Sequence, residues 1–128
     1  MTPDDGAPAA DSQRLFATPA GVKLGAVAAI PAGGARNYVV QMRAGRFHGF
    51  VVREGDEVFG FIDRCPHMSL PLAQVLDDYL APAGDLIACS WHGALFEKST
   101  GLCVGGPCVG QRLTPWPVTV MDGLIVTT

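Results

Sequence analysis

The chain has little charge of either sign and no concentration of positive charge. Its 128 residues include nine lysines and arginines and twelve acidic residues, which gives a formal net charge of −3. A protein that binds nucleic acid needs a basic face to neutralise phosphates, so this composition argues against a nucleic-acid partner. Only 16% of the residues are charged and 48% are apolar, which also excludes a disordered chain.

A long hydrophobic run is also missing. The longest apolar stretch, residues 22–35, contains Lys23 and Pro31 and is too short to cross a bilayer. Residues 1–5 are acidic where a secretion signal would be basic, and no apolar segment follows them. From the sequence we therefore expect a cytoplasmic protein with no membrane contact.

Histidine and cysteine are scarce, but most of them fall in two short motifs. Cys65 and His67 have one residue between them, and Cys89 and His92 have two. Each motif offers one thiolate and one imidazole, a donor set that suits zinc or an iron–sulfur cluster. Structural zinc sites usually pair like with like, as C-x2-C and H-x3-H. The mixed pairs therefore favour an iron–sulfur cluster, and a zinc site is the alternative.

The two motifs resemble the cluster loops of Rieske [2Fe–2S] proteins, whose pattern is C-x-H followed at a variable distance by C-x2-H. Residues 65–72 look like the first cluster loop of that family, and residues 89–96 look like the second. Thr100 and Gly101 are similar to the turn that follows, and residues 105–107 to the family's proline loop.

This resemblance implies a Rieske-type [2Fe–2S] cluster as the cofactor. By the family's pattern, Cys65 and Cys89 would bind one iron, and His67 and His92 would bind the other. Neutral imidazoles in place of two anionic thiolates make it easier to add an electron, so the reduction potential rises relative to an all-cysteine cluster.

The residues around the second motif bear on the potential within the family. High-potential members have a serine and a tyrosine there, which donate hydrogen bonds to the cluster and a ligand sulfur. The matching positions here hold Ala94 and Phe96, which have no side-chain donor. The resemblance therefore implies a potential at the low end, about −150 mV. Pro107 would belong to a third loop that covers the cluster, while Trp91 would shield the site, face a partner or pack in the core.

Two further cysteines, Cys103 and Cys108, lie outside the motifs. Membrane-complex members of the family join their two cluster loops by a disulfide, with one cysteine in each loop. The corresponding places here lie at or near Leu70 and at Trp91, so that disulfide cannot form. We expect Cys103 and Cys108 to be free thiols near the cluster loops, and we assign them no role.

The spacing of turn residues predicts an all-β protein, because sixteen glycines and ten prolines punctuate many short apolar runs. The resemblance implies stacked antiparallel sheets with a small cluster-binding subdomain. We predict a flexible tail over residues 1–20 and one domain over residues 21–128, with its cluster-binding part at about 64–108. A helical spacing of apolar residues also predicts one short helix between the motifs, at residues 72–80.

The leading functional hypothesis is a one-electron carrier similar to soluble Rieske-type ferredoxins. It would accept electrons from a reductase and pass them to an oxidoreductase, most often an oxygenase, through transient contacts at the edge bearing His67 and His92. The alternative is a Rieske subunit of a larger oxidoreductase such as a nitrite reductase. An oxygenase large subunit is excluded, because its mononuclear iron needs two more histidines and only His48 is left over. Residues 77–84 lengthen the linker between the motifs and could form a partner-specific surface.

Overall fold

The computed structural model of the protein describes residues 14–66, 71–73, 77–91 and 93–128. Within these ranges the chain forms ten strands in three sheets and one short 3₁₀ helix, Val27–Ala29. No helix in the described ranges is long and apolar enough to cross a membrane.

The first sheet has four strands and forms the middle layer of the domain. Its strands are β1 at Arg14–Leu15, β3 at Ala35–Met42, β4 at Gly45–Glu54 and β5 at Glu57–Ile62. The central strand, β4, pairs with β3 along one edge and with β5 along the other, both antiparallel. The short strand β1 pairs in parallel with the start of β4, on the same edge as β5.

The second sheet covers one face of this middle layer. It has the order β2-β10-β9, with β2 at Lys23–Ala26, β9 at Val118–Met121 and β10 at Leu124–Thr127. A two-residue turn joins β9 to β10. Asp122 and Gly123 both have positive φ angles, of 52° and 78°. This is the backbone conformation that a tight antiparallel hairpin requires, and Asp-Gly is a preferred pair for it.

The third sheet lies on the opposite side and carries the second ligand motif. It has the order β6-β7-β8, with β6 at Leu86–Ala88, β7 at Leu95–Glu97 and β8 at Cys103–Gly105. Cys89 follows directly after β6, and the loop that it begins ends at β7.

The alternation of side chains along β4 divides the buried residues into two cores. Phe47 and Val51 point into the core shared with the second sheet, which we call the far-side core. Phe50 and Val52 point the other way, into the ligand-side core shared with the third sheet. Successive residues of a strand face opposite sides, so one strand supports both layers. The buried members of the ligand-side core are Ala35, Phe50, Val52, Phe61, Cys65, Leu72, Tyr79, Ile87, Cys89, Ala94, Phe96, Cys103, Cys108 and Leu113.

The all-β class and the stacked sheets confirm the prediction from the sequence, but the predicted helix at residues 72–80 is wrong for the described part of that segment. Leu72 and Ala73 are not helical, Tyr79 has no regular secondary structure, and Leu80 forms an isolated antiparallel bridge with Ile87. Asp77 has a φ of 67°, a left-handed conformation that interrupts a right-handed helix. Leu72 and Tyr79 are buried because they contact distant parts of the chain, and their spacing imitates a helical face.

The structure also differs from the expected tail over residues 1–20. Residues 1–13 lie outside the described ranges, but residues 14–20 are attached to the domain. Arg14 and Leu15 form β1, the Trp116 indole donates to Thr18 Oγ1 at 2.8 Å, and the Thr127 hydroxyl donates to the Pro19 carbonyl at 2.8 Å.

The close approach of β5 to the chain at Trp116 gives a test of the packing. A Cβ added at Gly60 would collide with the carbonyl oxygen of Trp116, whereas one at Gly105 would make ordinary contacts with Leu95. Neither glycine has a positive φ. We expect Gly60→Ala to destabilise the fold by about 1–3 kcal/mol through overpacking, seen as a lower Tm by circular dichroism. Gly105→Ala is the matched control, and equal Tm values for the two variants would contradict this account.

Candidate metal centre

The first predicted ligand loop begins where β5 ends. Asp63 and Arg64 follow the strand, and Cys65 comes next with its side chain completely buried. The loop start is fixed to the middle sheet, because the Asp63 N–H donates to the His48 carbonyl of β4 at 3.0 Å. His67 lies outside the described residues.

The second predicted ligand loop is a tight turn between β6 and β7. Cys89 is 2% exposed; its N–H donates to the Ala94 carbonyl at 2.8 Å, and its carbonyl accepts from the Gly93 N–H at 3.0 Å. Gly93 has a φ of 72°, which allows the chain to reverse within the loop. His92 lies outside the described residues.

The structure brings the two predicted thiolate ligands into one environment. Cys65 and Cys89 come from different loops, yet both belong to the ligand-side core, where water has little access. Soft thiolates in a shielded pocket fit an iron–sulfur cluster, whose potential depends on burial and on hydrogen bonds to sulfur. Within the described ranges, no group of three or more cysteine, histidine or acidic side chains is arranged to hold a metal ion.

Two residues of β7 and the turn before it, Ala94 and Phe96, are buried in the same core as these thiols. Ala94 and Phe96 are both completely buried and belong to the ligand-side core. They therefore line the region of the cysteines with hydrocarbon, and neither side chain can donate a hydrogen bond.

The loop that contains Pro107 packs against the second ligand loop. Gly106 has a φ of 85°, and a Cβ added to it would lie 2.7 Å from the Ala94 Cα and 3.1 Å from the Gly93 carbonyl oxygen. The backbone of this loop therefore touches the second ligand loop, while Pro107 itself is exposed.

Of the three alternatives that the sequence left open for Trp91, the structure excludes packing in the core. Its side chain is 44% exposed, so it is not a core residue. Its indole Nε1 donates to the Pro71 carbonyl at 2.6 Å, and this hydrogen bond joins the second ligand loop to the end of the first. By the resemblance, Trp91 stands at the position of one of the two disulfide cysteines of membrane-complex members.

Cys103 and Cys108 are free thiols, as predicted, and they are neighbours. Their Sγ atoms are 2.9 Å apart, and the Cys103 thiol is 3.1 Å from the Gly105 carbonyl oxygen. Burial raises the pKa of Cys108 to about 12, and the hydrogen bond to Cys103 adds to this effect. Cys108 is therefore a protonated thiol at neutral pH.

Three residues near the first loop were missed from the sequence. Asp63, Asn37 and Tyr79 form a closed group of hydrogen bonds, in which the Tyr79 hydroxyl donates to Asp63 Oδ2 at 2.8 Å. Asn37 Nδ2 donates to the same oxygen at 3.2 Å and to the Tyr79 hydroxyl at 2.7 Å. Burial and the nearby Asp63 carboxylate raise the pKa of Tyr79, so its hydroxyl stays protonated. The one sequence signal was an acidic residue at the end of an apolar strand, two positions before Cys65.

Comparisons with known proteins agree with the resemblance read from the motifs. The model of the family described as the Rieske [2Fe–2S] domain matches residues 21–121. The chain is 33% identical over 73 residues to the ferredoxin CarAc of Metapseudomonas resinovorans, and the match covers 57% of this chain and 63% of that ferredoxin.

Two solved structures show the same architecture. A chain in the complex of reduced oxygenase and oxidized ferredoxin in carbazole 1,9a-dioxygenase is 29% identical, with a TM-score of 0.64; the match covers 83% of this chain and 91% of that one. A ferredoxin of Sphingomonas yanoikuyae B1 is 26% identical, with a TM-score of 0.62; the match covers 84% of this chain and 96% of that one.

The raised pKa of Cys108 predicts slow thiol chemistry. At pH 8 a thiol with a pKa of about 12 holds far less thiolate, the reactive form, than an exposed cysteine does. We expect iodoacetamide to label Cys108 in the native holoprotein at least about a hundredfold more slowly than in the denatured chain, as measured by peptide mass spectrometry. Labelling at equal rates in the two states would show that this thiol is accessible and would contradict its placement.

Proposed function

Because the chain belongs to the Rieske [2Fe–2S] domain family, we propose that it is a one-electron carrier that passes electrons from a reductase to an oxygenase. The Rieske-type cluster of this family supplies the electron transfer when bound. The observation that carries the proposal is the burial of Cys65 and Cys89 in one core. Each cysteine lies at the start of its loop, and the two loops follow strands of different sheets.

We assign the cluster ligands from the two motifs. Cys65 and Cys89 would hold one iron in the ligand-side core, and His67 and His92 would hold the other. We propose that the Rieske domain spans residues 21–128, with its cluster-binding part at about 64–108, and the family match over residues 21–121 supports this range. Residues 14–20 pack onto this domain as an extension through β1, Thr18 and Pro19.

The low potential follows from the residues beside the thiols. Ala94 and Phe96 are completely buried and lack donors, so they stabilise neither the cluster sulfurs nor a ligand sulfur in the reduced state. We therefore propose a potential at the low end of the Rieske range, about −150 mV.

An oxygenase is the proposed acceptor because of what the similar proteins do. One similar solved structure is a complex of an oxygenase and a ferredoxin, and the curated relative is named a ferredoxin. The contact would be small and transient, at the edge bearing His67 and His92. Trp91 in the second loop and Val109 after the proline loop are 44% and 64% exposed, so they offer apolar surface to a partner.

A cytoplasmic location is part of the same proposal. It predicts that Cys103 and Cys108, whose sulfur atoms are 2.9 Å apart, stay as thiols, because the cytoplasm is a reducing compartment.

Adding hydrogen-bond donors at positions 94 and 96 tests the proposed potential directly. We expect about −150 mV for the purified holoprotein and a higher potential for Ala94→Ser with Phe96→Tyr, because added hydroxyl donors stabilise the extra negative charge of the reduced cluster. Protein-film voltammetry measures both values.

Phe59→Tyr is the control for this comparison, because it adds the same hydroxyl on β5, outside both ligand loops. Its potential should equal that of the unaltered protein. A positive potential in the unaltered protein, or an unchanged potential in the double variant, would overturn the argument from Ala94 and Phe96.

A further inference from the structure

The backbone of Pro71 and Leu72, at the end of the first ligand loop, makes hydrogen bonds to both ligand loops. The Leu72 N–H donates to Asp63 Oδ1 at 2.9 Å, which joins the end of the loop to its beginning. The Leu72 carbonyl accepts from the Ser90 N–H at 2.7 Å, and Ser90 directly follows Cys89. The backbone of Leu72 thus connects Asp63, two positions before Cys65, with Ser90, the residue after Cys89.

Asp63 is the fixed end of this connection. Its side chain is 5% exposed, and both of its carboxylate oxygens are used. One oxygen receives the Leu72 N–H, and the other receives the Tyr79 hydroxyl and the Asn37 amide. A carboxylate accepts hydrogen bonds without donating any, so three converging donors match it better than they match an amide or a hydroxyl.

The partners of Asp63 are themselves anchored in the sheets. The ring of Tyr79 stacks on that of Phe50, with centroids 4.3 Å apart and an interplanar angle of 8°. Asn37 lies in β3, and its N–H donates to Asp77 Oδ1 at 2.7 Å. The middle sheet, the linker between the motifs and both ligand loops therefore meet at one carboxylate.

We propose that Asp63 is a positioning residue for electron transfer, which acts through the Leu72 peptide to fix the two ligand loops relative to each other. It would do by hydrogen bonds what the inter-loop disulfide does in membrane-complex Rieske proteins. Trp91 adds a second, exposed link to the same segment through the Pro71 carbonyl. The inference rests on the proposed cluster-binding function and adds a role for residues outside the two motifs.

The consequence for electron transfer is geometric. Two ligand loops from different sheets would hold a cluster in one geometry only if hydrogen bonds outside the ligand set fix their relative positions. Loss of the Asp63 carboxylate would free the end of the first loop and the Ser90 contact together, so the ligand geometry would become heterogeneous.

The test compares Asp63→Ala and Asp63→Asn with Asp56→Ala as the control. Asp56 is an exposed aspartate in the turn before β5, at the opposite end of the strand from Asp63. We expect Asp63→Ala to release its cluster to a chelator about tenfold faster, as loss of a charged hydrogen bond predicts. Its reduced form should give a broadened electron paramagnetic resonance signal. Asp63→Asn keeps the shape and one acceptor for the Leu72 N–H, so it should restore most of the slow release and the narrow signal, and Asp56→Ala should match the unaltered protein.

Hydrogen exchange gives a readout that needs no redox activity. Peptides containing Leu72 and Ser90 should exchange faster in Asp63→Ala and remain protected in Asp56→Ala. If Asp63→Ala yields no holoprotein, Tyr79→Phe decides the question, since it keeps the Leu72 bond and the charge and removes one donor to Asp63; about a two- to threefold faster release is expected from a neutral bond.

Two results would overturn the inference. One is unaltered cluster release, spectrum and exchange in Asp63→Ala, or in Tyr79→Phe where Asp63→Ala yields no holoprotein. The other is identical behaviour of Asp63→Ala and Asp63→Asn, which would mean that Asp63 acts through its charge alone. Absence of any cluster in the unaltered protein would instead refute the proposed function on which this inference rests.

Discussion

The structure depends on bringing two buried cysteines from separate loops into one core without a covalent link between the loops. Cys65 leaves the middle sheet after β5, and Cys89 leaves the third sheet after β6. Their thiols meet in one core because β4 directs Phe50 and Val52 toward the third sheet and Phe47 and Val51 toward the second. The alternation of a single strand therefore sets both the layering of the fold and the side on which the metal centre is built.

Hydrogen bonds to Pro71 and Leu72 hold the two ligand loops together in place of a disulfide. They involve backbone groups of Leu72 and Pro71, the Asp63 carboxylate and the Trp91 indole. The bond between the Leu72 N–H and Asp63 is buried, where an unsatisfied polar group is costly, so breaking it is more damaging than its small net stabilisation suggests. This makes the loop connection specific even though no disulfide supports it.

The parts of the structure that the sequence predicted are those governed by local spacing. The spacing of turn residues predicted the all-β class, and the turn at Asp122 and Gly123 between β9 and β10 shows how such residues end a strand. The Cys and His spacing identified the family. The helix at residues 72–80 failed because Leu72 and Tyr79 are buried by contacts far away in the sequence. Asp63 was missed for the same reason, since its partner Asn37 lies 26 residues away, and no local pattern records such a bond.

The assignment of the four cluster ligands is tested most directly by substituting each cysteine and the two motif histidines in turn and measuring iron and sulfide per chain. The unaltered protein should hold about two of each. Cys65→Ser and Cys89→Ser should lose the cluster, and His67→Ala and His92→Ala should lose it as well. Cys103→Ser and Cys108→Ser are controls of the same residue type in the same core, and they should keep full occupancy. Retention of the cluster in Cys65→Ser, or its loss in both control variants, would contradict the account.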